Sequence, residues 1–136
     1  NRDMEAELIK QLEWKLAGQW PYVVSANPEL IQQICGEEIP KGITISANGF
    51  YGPQGRELRL KLVDPNLNQK IAAFDYKGQR ITNYEMESSA LAALSALMGH
   101  KAMTVCCIIA GRANKDMNTD YKASLTKLIK TVLDRI

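Results

Sequence analysis

Arg80-Ile81-Thr82-Asn83-Tyr84-Glu85-Met86-Glu87-Ser88-Ser89 is the stretch whose reading decides the fold. Its first four residues read as a short extended segment. Residues 88–98, rich in alanine and leucine, read as helix. The stretch is therefore a strand-to-helix junction, with two carboxylates one residue apart and a methionine between them. Such junctions are where α/β proteins commonly display their chemistry. A carboxylate pair there can equally complement the dipole of its own helix. The sequence places this helix over residues 85–98. Small residues on nearly all sides, among them Ser88, Ser89, Ala90, Ala92, Ala93, Ser95 and Ala96, predict a buried helix that neighbours approach closely.

Downstream, Gly99 ends that helix, and residues 102–110 read as a buried strand, β-branched and apolar without alternation. A polar loop over residues 111–118 leads to a last helix starting at Thr119 or Asp120. Leu125, Leu128, Ile129, Val132, Leu133 and Ile136 form its apolar face. Upstream, residues 1–17 read as a helix with Met4, Leu8, Leu12 and Leu16 on one face, ended by Gly18. Asn27-Pro28-Glu29 is a helix start: a capping side chain, a proline in the first turn, then an acid. Ile43 and Ile45 alternate with Thr44 and Ser46, which predicts a strand over residues 41–47. Leu58, Leu60 and Leu62 alternate with charged residues and predict another, while residues 68–76 suit a short helix. Helices alternating with strands make the class α/β.

A chain of 136 residues is one domain, long enough to bury its own core. Its net charge of +2 and lack of any basic block give no sign of a nucleic-acid partner. The longest apolar run, residues 105–110, is too short to span a membrane. Cys35, Cys106 and Cys107 have no CxxC spacing and, with the lone His100, form no metal-binding pattern. A reducing, cytoplasmic compartment suits them. The chain opens at Asn1, without methionine and already in a helical pattern, which reads as a piece of something larger.

The second informative stretch is Phe50-Tyr51-Gly52-Pro53-Gln54-Gly55-Arg56. Two glycines and a proline preclude regular structure. The loop offers an aromatic face, a primary amide and a guanidinium. Phe50 can pack on a flat heterocycle, Gln54 can donate to and accept from an amide-like edge, and Arg56 can donate to a carbonyl oxygen. It can equally be an ordered loop whose Gln and Arg satisfy backbone carbonyls.

Together the two stretches resemble the uridine branch of the nucleoside phosphorylase family. There a Phe-x-x-x-Gln-x-Arg loop binds uracil and a Glu-Met-Glu segment at a helix start binds ribose. Residues 106–112 resemble the strand and arginine-bearing loop that follow. The resemblance covers the last five-sixths of the chain and corresponds to the family's C-terminal half. It implies an α/β fold with a mixed central sheet flanked by helices, residues 1–136 being the C-terminal part of one such domain. It also implies a homohexamer built from dimers, and a pentosyltransferase that converts uridine and inorganic phosphate to uracil and ribose 1-phosphate in pyrimidine salvage, with no cofactor or metal.

By that resemblance Phe50 packs against the base, Gln54 binds its imide edge and Arg56 reaches a carbonyl oxygen. Met86 lies against the sugar, Glu87 accepts from the ribose hydroxyls, and Glu85 stands behind it. Ile109 and Ala110 line the pocket near the base, with Arg112 behind them. Gln54, Arg56 and Glu87 are the residues expected to serve catalysis. Ala110-Gly111-Arg112 stands where the purine branch carries an acidic residue, which favours a pyrimidine; Gly111 replaces the uridine branch's usual asparagine. The sequence holds no glycine-rich strand–helix turn and no arginine cluster to cradle phosphate, so the 136 residues alone are expected to be inactive. A nucleosidase of the same fold and a non-catalytic nucleoside-binding or assembly module are the alternatives.

Overall fold

The computed structural model describes residues 1–16, 18–111 and 116–136. Helix α1 (Arg2–Gln11) is capped by the Asn1 side chain, which accepts from the Met4 N–H. Met4, Leu8 and Leu12 turn inward from it, as their four-residue spacing predicts. The helix is shorter than expected, ending well before Gly18. Glu13 takes a positive φ of 48°, the Glu13 N–H donates to the Lys10 carbonyl, and the Trp14 N–H donates back to Ile9. That pair of bonds is a Schellman stop, built here on a glutamate rather than the glycine that would mark it in sequence. Leu16, beyond the stop, is exposed.

Helix α2 (Pro28–Cys35) begins as its sequence predicts, with the Asn27 side chain accepting from the Leu30 N–H. Strand β1 (Ile43–Ser46) leads into the loop that holds a single 3-10 turn at Gly52–Gln54. Residues 57–63 form no strand; Leu58 and Leu60 are exposed, so the alternation there lines up no buried face. Helix α3 (Leu67–Ala73) is the short helix foreseen over residues 68–76.

Strand β2 (Ile81–Glu85) pairs in parallel with β1. Ile43 lies opposite Ile81, but Thr44 lies opposite Asn83, Ile45 opposite Tyr84 and Ser46 opposite Glu85. The ladder skips Thr82, a one-residue bulge. Strict alternation would separate Ile81 from Tyr84. The bulge brings them to one face, where both join Ile43 and Ile45 against a cluster of Met4, Leu8, Leu12, Ile71 and Phe74. Thr44 and Ser46 then share the opposite face with Asn83 and Glu85, where Thr44 Oγ1 donates to Asn83 Oδ1 at 2.8 Å.

Helix α4 (Ser88–Leu97) starts three residues later than expected, because Glu85 still belongs to β2. It ends at Gly99, whose φ of 75° and whose neighbour His100, donating its N–H to the Ser95 carbonyl, complete a second Schellman stop. Burial on all sides is not observed: no α4 residue is fully buried, and Leu91, Leu94 and Leu97 are exposed. The helix packs on β1 through one face. Residues 101–109 form no ladder, in place of the buried strand expected over 102–110. They are held by single bonds, from the Asn27 N–H to the Ala102 carbonyl and from the Asn118 N–H to Ile109. Among the described residues after α4, ladder pairing is found where β3 (Ala110–Gly111) meets β4 (Asp116–Met117), antiparallel. Helix α5 (Tyr121–Leu133) starts after Asp120 and turns Leu125, Leu128, Ile129, Val132 and Leu133 toward Ile34 of α2 and toward Met103 and Val105. Parallel and antiparallel pairings thus both occur, in two separate two-stranded sheets.

Phe74 is the one large side chain among the described residues with no exposure at all. Its truncation to alanine in a fully packed site should destabilise the fold by roughly 3–5 kcal/mol. Urea denaturation of Phe74→Ala, with the midpoint shifted at unchanged slope, is the check.

Candidate nucleoside site

The site is built on the C-terminal end of the β1–β2 pair. Glu85, the last residue of β2, folds its carboxylate back over the start of α4. One oxygen accepts from Ser46 Oγ of β1 and from Ser88 Oγ at 2.7 Å; the other accepts from the Glu87 and Ser88 N–H groups, each at 2.6 Å. Ser46 Oγ in turn accepts from the Ser89 N–H at 2.8 Å. These bonds occupy donors at the helix start that would otherwise lack partners. Burial pushes the Glu85 carboxyl up, but the bonds from Ser46, the Glu87 N–H and Ser88 outweigh it and hold the group below the usual carboxylate range. Glu85 is therefore an ionised carboxylate consumed by structure.

Glu87 is the reverse case. It occupies the N-cap position of α4, yet its side chain makes no capping bond, and it is exposed beside the half-exposed Met86. The capping task has passed to Glu85. Of the two carboxylates at the junction, Glu87 is the one that faces outward from a rigid turn. The helix-start reading of the pair is met by Glu85, and Glu87 is left as the candidate for the other.

The loop over residues 50–56 is locked from within. The Gln54, Gly55 and Arg56 N–H groups donate to Tyr51, Gly52 and Tyr51 carbonyls at 3.0, 2.8 and 2.9 Å. Gly55 takes a φ of 70°, open to glycine at no steric cost. The Arg56 guanidinium lies 3.8 Å from the centre of the Phe50 ring, donates to the Phe50 carbonyl and donates to Gln54 Oε1 at 2.8 Å. Phe50, Gln54 and Arg56 are thus brought into one cluster, and Arg56 also meets a backbone carbonyl, as the ordered-loop reading expected. Gln54 is buried, while Phe50 is 52% exposed and meets Tyr51 edge-on. One face of the Phe50 ring carries the guanidinium, which leaves stacking of a planar ligand to the other face or to a moved Arg56.

The loop and the junction are joined by groups that sequence reading did not single out. Tyr84 Oη of β2 donates to Asn68 Oδ1 at 3.1 Å, and Asn68 Nδ2 lies 3.5 Å from the Gly55 carbonyl. Ser46 joins the same junction from β1. Its signal in the sequence was its place as the polar partner in the Ile-Thr-Ile-Ser alternation, which became informative only once the register set it opposite Glu85. The Cys106 thiol is pushed up by burial and further by the charge of Glu85, with the Asn83 side chain acting against them, which sets Cys106 close to β2. Ile109 and Ala110 follow on this segment, held by Asn118 and Met117. Arg112 lies outside the described residues. Among the described residues no His, Cys, Asp or Glu cluster has the arrangement of a metal site, and no helix is long and apolar enough to cross a membrane.

The chain is similar to known proteins. The family model described as the phosphorylase superfamily matches residues 17–134. A uridine phosphorylase of Thermococcus kodakarensis is 35% identical over 81 residues, covering 55% of this chain and 26% of that protein. The crystal structure of a Trypanosoma brucei nucleoside phosphorylase, reported to show uridine phosphorylase activity, superposes with a TM-score of 0.73 at 29% identity. It covers 84% of this chain and 42% of that one. The matched part thus spans about a quarter of the first and about two-fifths of the second.

The division of labour between the carboxylates has a measurable consequence. Glu85→Ala leaves two hydroxyls and two N–H groups without their shared acceptor and should cost about 1–3 kcal/mol of stability. Glu87→Ala should stay within about 0.5 kcal/mol of the parent. Chemical denaturation of the two variants side by side tests the assignment.

Proposed function

The chain belongs to the phosphorylase superfamily, and we propose that it carries the nucleoside-binding half of an enzyme that cleaves uridine with inorganic phosphate, giving uracil and ribose 1-phosphate. The observation that carries this reading is an exposed carboxylate, Glu87, just past the end of β2, together with a Phe50–Gln54–Arg56 cluster in the loop just past the end of the paired strand β1. The resemblance to a uridine phosphorylase and to a nucleoside phosphorylase with that activity supports it.

Phosphorolysis breaks the bond between C1′ of the ribose and the base nitrogen. The electron pair leaves with the base, and a phosphate oxygen forms the new bond to C1′. Positive charge gathers on the sugar and negative charge on the departing uracil. Glu87 accepts from the ribose hydroxyls and places a negative charge near the cationic ring. Met86 lies along the sugar. Gln54 meets the imide edge of the base and Arg56 donates to a carbonyl oxygen, stabilising the leaving anion as it forms. Phe50 packs on the ring, and Ile109 and Ala110 line the pocket. No metal or organic cofactor is required by this scheme; phosphate is a second substrate. The 136 residues hold no glycine-rich turn to receive it, and we place its binding groups outside them, so that this chain alone binds nucleoside without turnover. The complete enzyme is read as a soluble, cytoplasmic homo-oligomer built from dimers.

The test of the reaction class is uridine cleavage by the full-length protein with and without phosphate. Uracil release that depends on phosphate is expected; equal release without it would make the enzyme a nucleosidase, and binding without turnover would make it a binding module. The base pocket is tested by Gln54→Ala, which should cost about 1–3 kcal/mol in kcat/KM for uridine. Inosine as the preferred substrate would reject the pocket assignment.

A further inference from the structure

We propose that Asn68 is a positioning residue that ties the geometry of the base-recognition loop to the strand carrying the ribose carboxylate. The proposal rests on the nucleoside reading of the site and adds to it a residue outside both motifs. Asn68 sits in the first turn of α3, between the two halves of the site. Its amide oxygen accepts from Tyr84 Oη at 3.1 Å, and Tyr84 immediately precedes Glu85. Its amide nitrogen reaches the Gly55 carbonyl at 3.5 Å, and Gly55 stands between Gln54 and Arg56. The contact with the loop is also steric. A Cβ built on Gly55 would collide with the Asn68 amide, so the loop backbone rests directly on this side chain.

The chemistry suits an amide and nothing smaller. One end must accept from a phenol and the other must donate to a carbonyl, which asparagine does in a single planar group. Tyr84 is itself fixed, because its ring packs against the buried core while its hydroxyl reaches α3. Asn68 therefore links a strand anchored in the core to the backbone of the loop. A small displacement of that loop moves Gln54 and Arg56 relative to Glu87, and a misplacement on the order of 1 Å is enough to cost catalysis heavily.

Three variants separate this role from simple loss of fold. Asn68→Ala removes both arms. Asn68→Asp keeps the acceptor for Tyr84 and sets an anion against the Gly55 carbonyl. Tyr84→Phe removes the hydroxyl and keeps the ring in the core. Hydrogen exchange of the Gln54, Gly55 and Arg56 amides should quicken about tenfold in the two Asn68 variants, and less in Tyr84→Phe. The Glu87 and Ser88 amides, bound to Glu85, should exchange as in the parent. Uridine affinity by calorimetry should fall about tenfold in both Asn68 variants while Tm changes little. Unchanged exchange at residues 54–56 in both Asn68 variants would overturn the bridge. Faster exchange with unchanged uridine affinity would overturn the positioning role. Failure of the unsubstituted chain to bind uridine would instead strike the nucleoside reading, with the exchange data still deciding whether Asn68 orders the loop.

Discussion

Everything in this chain hangs on the pairing of Ile43–Ser46 with Ile81–Glu85, and in particular on Thr82, which the ladder leaves out. Parallel pairing is held by slanted backbone bonds and by the faces the two strands share. With Thr82 outside the register, Ile81 and Tyr84 both face the cluster around Phe74, and burial of that cluster fixes the pair. The other face is then left for polar groups, and it receives Thr44, Ser46, Asn83 and Glu85 in register. The apolar side anchors the sheet. The polar side sets the junction at which α4 starts.

From that arrangement the two acids of the Glu-Met-Glu segment acquire different fates. A residue in the last ladder position can turn its carboxylate back over the following helix start, and Glu85 does so with four donors. A residue at the N-cap that has been relieved of capping keeps its carboxylate for something else, and that is Glu87. The helix start thus binds an anion supplied by its own chain, in the manner that helix termini bind foreign anions. The cost of holding Glu85 away from water is offset by charged hydrogen bonds, stronger than neutral ones. Rigidity at the turn follows, and it suits the sugar-orienting role proposed for Glu87.

Much of this was legible in the residues. The Asn27-Pro28 start, the glycine at 99, the irregular loop over residues 50–56 and the junction at Glu85 are written in local chemistry, and the structure places them accordingly. The α/β class and the family likewise follow from the two motifs and agree with the comparisons. What could not be read was non-local. The stop at Glu13 uses a residue type that seldom adopts a positive φ. Alternation at Leu58–Leu62 and continuous apolarity at residues 102–110 show which residues could line a sheet, but a strand exists only where a neighbour supplies ladder bonds, and within the described residues β3 and β4 meet over two residues each. The same holds for α4, whose small side chains permit close approach without dictating what approaches. Ser46, Tyr84 and Asn68 were invisible for a related reason: each matters through a partner far away in sequence.

The skipped residue in β2 also makes spacing in this chain a matter of parity. Side chains on a strand are sorted as even or odd, and the bulge changes the sorting once, at Thr82. Chain length elsewhere can drift: the exposed run over residues 57–63 bears on no ladder and can gain or lose residues with small entropic effect. Between Ile81 and Glu85 the bulge gives a single residue of slack: a strand without Thr82 would still set Asn83, Tyr84 and Glu85 opposite Thr44, Ile45 and Ser46, and a second loss would send a tyrosine toward the polar face and an acid toward Phe74. Changes of length should therefore be tolerated freely over residues 57–63 and, within β2, only as far as the one residue that stands outside the ladder.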